Sequence, residues 1–305
     1  MKAKNNTLKP LILSLIVMAF WGSLYPTVKM GMKAFNVGSS VPQILMFAGS
    51  RFLFCGVIIC LIALFKRDKI EGNKTKSIIS ILIIGLFSII LNYAFVYIGI
   101  SSTDSSKTAL IKQLGPLFYV CFAFLFFESE KFSILKIVGA FVGFLGIFAI
   151  NFDQSGITFY LADVFILLSS LSSMVANILT KKMIGNQSTF WVTGISQLFG
   201  GLVLIIVSLI MGGSLLEFNL SNVGIYLYIA LASTVAYVLW NYVLKISNLS
   251  NMFIIKFAES LFACIFGAIL LKENIFKWQY LIAFVLIFIG IFLGNKKPKD
   301  KLLKK

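Results

Sequence analysis

Two lysines stand where lysine is costly. ALIKQLGPLF (109–118) and FIIKFAESLF (253–262) are mostly apolar stretches, yet they carry Lys112 and Lys256, 144 positions apart. Leu117-Phe118 and Leu261-Phe262 repeat that spacing. A charge at the centre of a bilayer costs ~2.5–3.5 kcal/mol on insertion scales, so a residue of this kind usually faces a protein interior or a watery path. Snorkelling toward the headgroups is the competing reading for both lysines. Arg51 lies within another apolar run, where it either ties helices together or meets a solute. Glu259 sits one helical turn from Lys256, so an ion pair is its first reading and proton or ion coupling its second. Three cations against one acid suit a carboxylate better than a cation. Asn92, Gln197 and Asn241 add neutral hydrogen bonds, and Trp21, Tyr25, Tyr93, Tyr119 and Tyr237 supply aromatic walls. A cationic or amphipathic drug is the alternative solute, since aromatic faces also hold cations.

The segments that carry these residues are membrane-like. Hydrophobic residues make up 59% of the 305 and charged residues 12%, and the mean hydropathy is +0.96; soluble domains hold roughly 25% charged residues. Apolar runs of about 20 residues, enough to cross a core of roughly 30 Å, recur at 11–28, 43–65, 78–100, 108–127, 134–150, 160–180, 190–211, 223–244, 252–271 and 278–293. No cleavage site follows the first run, which is read as a retained helix. With the N-terminus inside, 19 of the 27 Lys and Arg residues fall on the cytoplasmic side, five on the other and three within spans. The positive-inside rule then puts both termini in the cytoplasm, at the plasma membrane of a bacterial cell. The basic tail is read as a lipid-facing anchor.

An internal repeat organises the spans. FLGIFAIN (144–151) matches FIGIFLGN (288–295), again 144 apart. Each copy closes a five-span half, 1–152 and 153–305. Five is odd, so the second half enters the membrane from the opposite face. The fold expected is an all-α integral membrane bundle of ten transmembrane helices in two inverted-topology five-helix repeats, the arrangement that supports alternating access around a midplane site.

Polar stripes run along spans one to four and six to nine, which predicts a central cavity between them. Ser169 and Ser173 are read mainly as hydroxyls bonded to their own helix, and Trp278 as an interfacial belt residue. Spans five and ten carry Gly139-x-x-x-Gly143 and Gly290-x-x-x-Gly294, read as packing surfaces. Pro26 and the Gly115-Pro116 pair are candidate helix kinks. Cys55, Cys60, Cys121 and Cys264 lie in apolar runs without metal-ligand spacing and are read as packing residues. No metal or other cofactor is expected. The chain lacks histidine, which removes His-based catalysis and His metal ligation, and it has no GxxxxGK[ST] phosphate loop. A membrane enzyme or a scaffold is therefore the weaker class. Nucleic acid is not an expected partner; a bilayer, a small-molecule substrate and a coupling proton or ion are.

Taken together, FWGSLYPTVK (20–29), the Arg51-Phe52 pair, VGAFVGFLGIF and YVLWNYVLKISNLSNMFIIKFAESLFACIFGAILLKENIFKWQYL resemble the EamA-type branch of the drug/metabolite transporter superfamily. The resemblance runs from about residue 11 to 295. It implies a ten-helix bundle of two inverted repeats that moves small metabolites, often exporting amino acids or related compounds. By position, Trp21, Arg51, Pro116 and Glu259 fall on recurrent family residues. Two departures stand out. Ser260 replaces a second proline found in many members, and Lys112 and Lys256 stand where members are commonly apolar or small. Neutralising either lysine to Met is expected to slow transport without unfolding the chain.

Overall fold

The computed structural model describes residues 8–38, 40–100, 111–150, 160–185, 187–272 and 278–295. Within them every regular element is a helix. In chain order these are α1 (Leu8–Ala34), α2 (Val41–Phe65), α3 (Lys74–Gly85), α4 (Asn92–Ile100), α5 (Leu114–Phe122), α6 (Ile134–Ile150), α7 (Leu161–Met183), α8 (Thr189–Ile210), α9 (Leu220–Ile246), α10 (Leu249–Ile255), α11 (Ala258–Leu271) and α12 (Trp278–Asn295). A π-helical turn, Leu86–Leu91, joins α3 to α4, and a 3₁₀ turn, Ala123–Leu125, follows α5.

Among the described residues, seven helical stretches are long and apolar enough to cross a membrane: Leu8–Ala34, Val41–Phe65, Lys74–Val96, Leu161–Met183, Thr189–Ile210, Leu220–Ile246 and Leu249–Leu271. Leu114–Leu125, Ile134–Ala149 and Leu281–Asn295 are shorter apolar helices. The segment read as a full span over 108–127 is therefore shorter in its described part, because residues 101–110 lie outside the description and a turn at Gln113 interrupts it. Outward faces carry large apolar side chains, among them Leu61, Leu64, Phe65, Phe141, Ile206, Ile210, Leu281 and Phe288. A water-soluble monomer rarely exposes so much contiguous apolar surface; a chain solvated by lipid tails incurs no penalty for it.

Close helix contacts are made at glycine. Along α2 and α8, a Cβ at Gly56 would lie 2.4 Å from the Leu198 nitrogen, and one at Gly201 would lie 2.4 Å from the Leu53 nitrogen. Gly194 meets Cys60 in the same seam, so residue numbers rise on one helix as they fall on the other. The pair is antiparallel. Gly139 and Gly290 do the same for α6 and α12: a Cβ at Gly139 would lie 2.6 Å from the Gly294 nitrogen, and one at Gly290 would lie 2.6 Å from the Gly143 nitrogen. In lipid, helices gain little from hiding apolar surface, so backbone-close packing carries much of the association. The second great contact surface is α1 against α9 and α11, where Trp21, Val17 and Met18 join the main apolar cluster with Phe253 and Phe257.

Polar ties hold the loops between these helices. Glu130, after α5, pairs with Lys136 at 3.0 Å and accepts the Ser250 N–H of α10 at 3.1 Å. Gln187 exchanges hydrogen bonds with the backbone of Glu71 at 2.9 and 3.1 Å.

Overpacking a tight contact costs about 1–3 kcal/mol, so Gly56→Leu and Gly139→Leu are each expected to lower the melting temperature of the detergent-purified protein. Gly224, in α9 with nothing within 4 Å of its would-be Cβ, is the control. Gly224→Ala is expected to leave melting unchanged or raise it.

Candidate functional site

Lys112 is positioned by a break in its helix. Residues 111 and 112 are helical, Gln113 is a turn, and α5 starts at Leu114. Pro116 falls in the first turn of α5, where a missing N–H leaves no hydrogen bond unmade. The Ser170 hydroxyl, from α7, spans the gap: it donates to the Lys112 carbonyl at 2.5 Å and accepts the Gly115 N–H at 2.9 Å. Only glycine allows that approach, since a Cβ on residue 115 would lie 2.5 Å from Ser170 Oγ.

The Lys112 ammonium donates to Asn92 Oδ1 at 2.8 Å and to Ser169 Oγ at 2.9 Å. Ser169 Oγ in turn lies 2.8 Å from both the backbone and side-chain oxygens of Asn92. Asn92 opens α4 directly after the π turn, and its Nδ2 donates to the Ser88 carbonyl at 3.2 Å. The Ser172 hydroxyl donates to the Phe87 carbonyl at 2.8 Å, satisfying an oxygen within the π turn. Single π turns recur at functional sites. Here the turn sets the register that brings Asn92 to Lys112.

Lys256 sits in a second break. α10 ends at Ile255 and α11 begins at Ala258, with Lys256 and Phe257 in the turn between. Ser260, in place of the second proline, does not prevent this interruption. The Lys256 ammonium pairs with Glu259 Oε2 at 2.9 Å, and Tyr25 donates to Glu259 Oε1 at 3.1 Å. A cation closing one helical segment and an acid in the first turn of the next both suit the helix dipoles. The ammonium also lies 4.4 Å from the Trp21 ring centroid and 5.8 Å from that of Trp240, within range for cation–π attraction. The Trp240 indole N–H donates to Asn177 Oδ1 at 2.6 Å.

Tyr93 and Tyr237 join the two halves of the site. Their hydroxyls are 3.3 Å apart, and they too are separated by 144 residues. Tyr237 meets Trp21 edge-on at 5.5 Å, and Phe52 packs on Tyr93 at 4.6 Å. Behind them Arg51, only 4% exposed, places its guanidinium 4.5 Å from the Phe52 ring and 5.7 Å from that of Tyr93. Lys256 and Glu259 lie within electrostatic range of Lys112. The two lysines are thus neighbours within one polar centre. Tyr25 is 51% exposed although its hydroxyl is bound, so the centre is open on that side.

Other residues singled out from the sequence lie elsewhere. Tyr119 is fully buried, stacked on Phe126 at 5.8 Å and edge-on to Phe253 at 5.0 Å; it packs the apolar core. Asn241 donates to Thr193 Oγ1 at 2.7 Å and ties α9 to α8. Gln197, 1% exposed, has neither amide atom hydrogen-bonded among the described residues. Pro26 lies inside α1, which stays helical through it. The Ser169 hydroxyl, expected to bond within its own helix, bonds across to Asn92 and accepts from Lys112 instead. Ser170 and Trp240 were not legible as site residues. For Ser169 a signal existed, because it stands 144 residues from Tyr25, its counterpart beside the other lysine.

The EamA-like transporter family matches residues 8–152 and 160–295. An uncharacterized inner membrane transporter of Escherichia coli K12, YedA, is 26% identical over 292 residues, 91% of this chain and 90% of its own. An uncharacterized transporter of Archaeoglobus fulgidus is 23% identical over 297 residues, covering 95% of this chain and all of that one. Bacillus subtilis YvbV, also an uncharacterized transporter, is 25% identical over 209 residues; the match takes in 68% of this chain and 64% of YvbV, just under two thirds of its length. A solved crystal structure aligns with a TM-score of 0.76 at 15% identity, over 94% of this chain and 96% of its own, a likeness of fold.

Ser170→Ala removes both bonds across the Lys112 break. At about 1–3 kcal/mol for a buried polar group left unpaired, it is expected to lower the melting temperature, whereas Ser173→Ala, on the same helix, is expected to leave it unchanged.

Proposed function

The chain belongs to the EamA-like transporter family, and from that premise we propose that it is a secondary carrier moving a small carboxylate or zwitterionic metabolite, an amino acid or relative, by alternating access. It is a multi-pass membrane protein. The observation that carries the substrate reading is the polar centre: Lys112 bonds Asn92, next in sequence to Tyr93, and Lys256 lies over Trp21, which meets Tyr237. A carboxylate finds partly buried cationic donors there, and an apolar side chain finds aromatic rings.

Two inverted five-helix repeats, ten helices in all, are the architecture we assign to this carrier. Support comes from helices 144–148 residues apart that pack antiparallel, α2 with α8 and α6 with α12. Matching breaks after Lys112 and at Lys256 support it too. Discontinuous helices that meet near the bilayer midplane form the solute sites of many carriers with inverted repeats. Rocking of one repeat against the other would expose the centre to each side in turn. We assign both termini to the cytoplasm of a bacterial cell, on the strength of the lysine and arginine distribution, and the direction to export. Glu259 is the residue we assign to proton or ion coupling, since it is a carboxylate held within the centre by Lys256 and Tyr25. The chemistry of the centre suits a carrier better than a catalyst.

Counterflow in proteoliposomes tests this reading. The purified protein is expected to accumulate one class among labelled amino acids and organic carboxylates, and the Lys112→Met/Lys256→Met double variant is expected to lose it. Accumulation of cationic drugs instead, undiminished in the double variant, would replace the proposed substrate class.

A further inference from the structure

The two lysines of the polar centre differ in charge balance. Lys256 has its own counterion: Glu259 takes its ammonium at 2.9 Å, and the remaining Glu259 oxygen is taken by Tyr25 at 3.1 Å. Trp21 and Trp240 cover the same ammonium. This half of the site is neutral as it stands. Arg51 is shielded, with Phe52 and Tyr93 over its guanidinium. Lys112 is different. It meets two neutral acceptors, Asn92 Oδ1 and Ser169 Oγ, and no carboxylate among the described residues. An ammonium has three donors, so one N–H of Lys112 has no acceptor among those residues. Its backbone is also fixed, because Ser170 holds the Lys112 carbonyl and the Gly115 N–H. The result is a preorganised ammonium with one open donor and no carboxylate in contact with it among the described residues.

Resting on the carrier reading above, we propose that Lys112, and not Lys256, anchors the carboxylate of the transported solute, and that the site takes one carboxylate only. The substrate class is then a monocarboxylate, zwitterionic amino acids included. A carboxylate at Lys112 supplies the missing counter-charge through a charge-assisted hydrogen bond. For a second carboxylate to bind, it must displace Glu259 from Lys256, which strands a buried acid without its partner and is strongly unfavourable. A solute with net positive charge is opposed by Lys112 itself.

The test uses purified full-length protein in proteoliposomes. Labelled L-leucine, L-threonine, L-alanine and L-lactate are compared with succinate and L-glutamate, and the methyl ester of each accumulated amino acid serves as a competitor. Wild type is expected to accumulate a monocarboxylate in preference to either dicarboxylate. Lys112→Met is expected to weaken its affinity about 10- to 100-fold, the scale of one hydrogen bond to a charged group, while competition by the methyl ester is unchanged. Lys112→Gln, which keeps neutral N–H donors for Asn92 and Ser169, is expected to behave likewise and covers the case in which the Met variant does not fold. The charge-balanced Lys256→Met/Glu259→Gln variant is expected to lose less affinity than either Lys112 variant and to keep the preference for one carboxylate, although its transport rate falls.

Loss of affinity in that double variant with none in the Lys112 variants would overturn the inference and leave the carrier reading intact. Preference for succinate or glutamate would do the same. If wild type accumulates none of the six probes, the proposed substrate class itself falls, and this assignment goes with it.

Discussion

Hydrocarbon cannot solvate a charge, and the arrangement around Lys112 and Lys256 follows from that constraint. Each ammonium must find its partners within the protein. Asn92, Ser169 and Ser170 converge on one lysine and its helix break, and Glu259, Trp21 and Trp240 on the other. The helices that supply these groups have to be held in fixed register, because an ammonium moved away from its acceptors loses most of what offsets its desolvation. The close glycine contacts of α1 with α11 at Gly22 and of α4 with α7 at Gly99 serve that end. They bring backbones close enough for packing to do what a hydrophobic driving force cannot do in lipid.

The breaks in the two lysine-bearing helices show how irregular backbone is tolerated at membrane depth. An interrupted helix leaves carbonyl and N–H groups without their usual partners. At Lys112 the Ser170 hydroxyl fills both roles at once, donor to a carbonyl and acceptor from an N–H. At Lys256 the turn closes on itself through short-range bonds, with Glu259 N–H donating to the Lys256 carbonyl at 3.0 Å. Proline follows the first break, where residue 116 has no N–H to offer the Lys112 carbonyl, and is absent from the second, so a helix here is interrupted with or without proline. The shared feature is a lysine that has turned toward the polar centre.

Resemblance and structure together narrow the role of the centre. Membership of the family supplies the general activity, a membrane transporter. The environments of the two lysines are unequal. One is neutralised by an acid three residues along its own chain; the other is held by neutral oxygens from α4 and α7. An asymmetric pair of this kind would give a solute bound there, as proposed above, a direction.

Much of the fold was legible in the sequence because hydrophobic length and lysine placement are one-dimensional quantities. The described part of each apolar run is mainly helical, the Gly139 and Gly290 motifs meet as packing surfaces, and the 144-residue spacing reappears as a contact between Tyr93 and Tyr237. The Lys256–Glu259 pair could also be read directly, since residues three apart share a helix face. Partners distant along the chain could not. Asn92, Ser169 and Lys112 come from three separate segments, and nothing in their local spacing says that α4 and α7 will flank the first break. Tyr119 shares a stripe with Lys112, yet the turn at Gln113 rotates it into the apolar core. Asn241 is as polar as Asn92, but its neighbour is Thr193 on α8. By itself the sequence determined which residues are too polar to face lipid. Only the tertiary structure decided which of them face each other, because that depends on helix register and on breaks that shift a stripe from one face to the next.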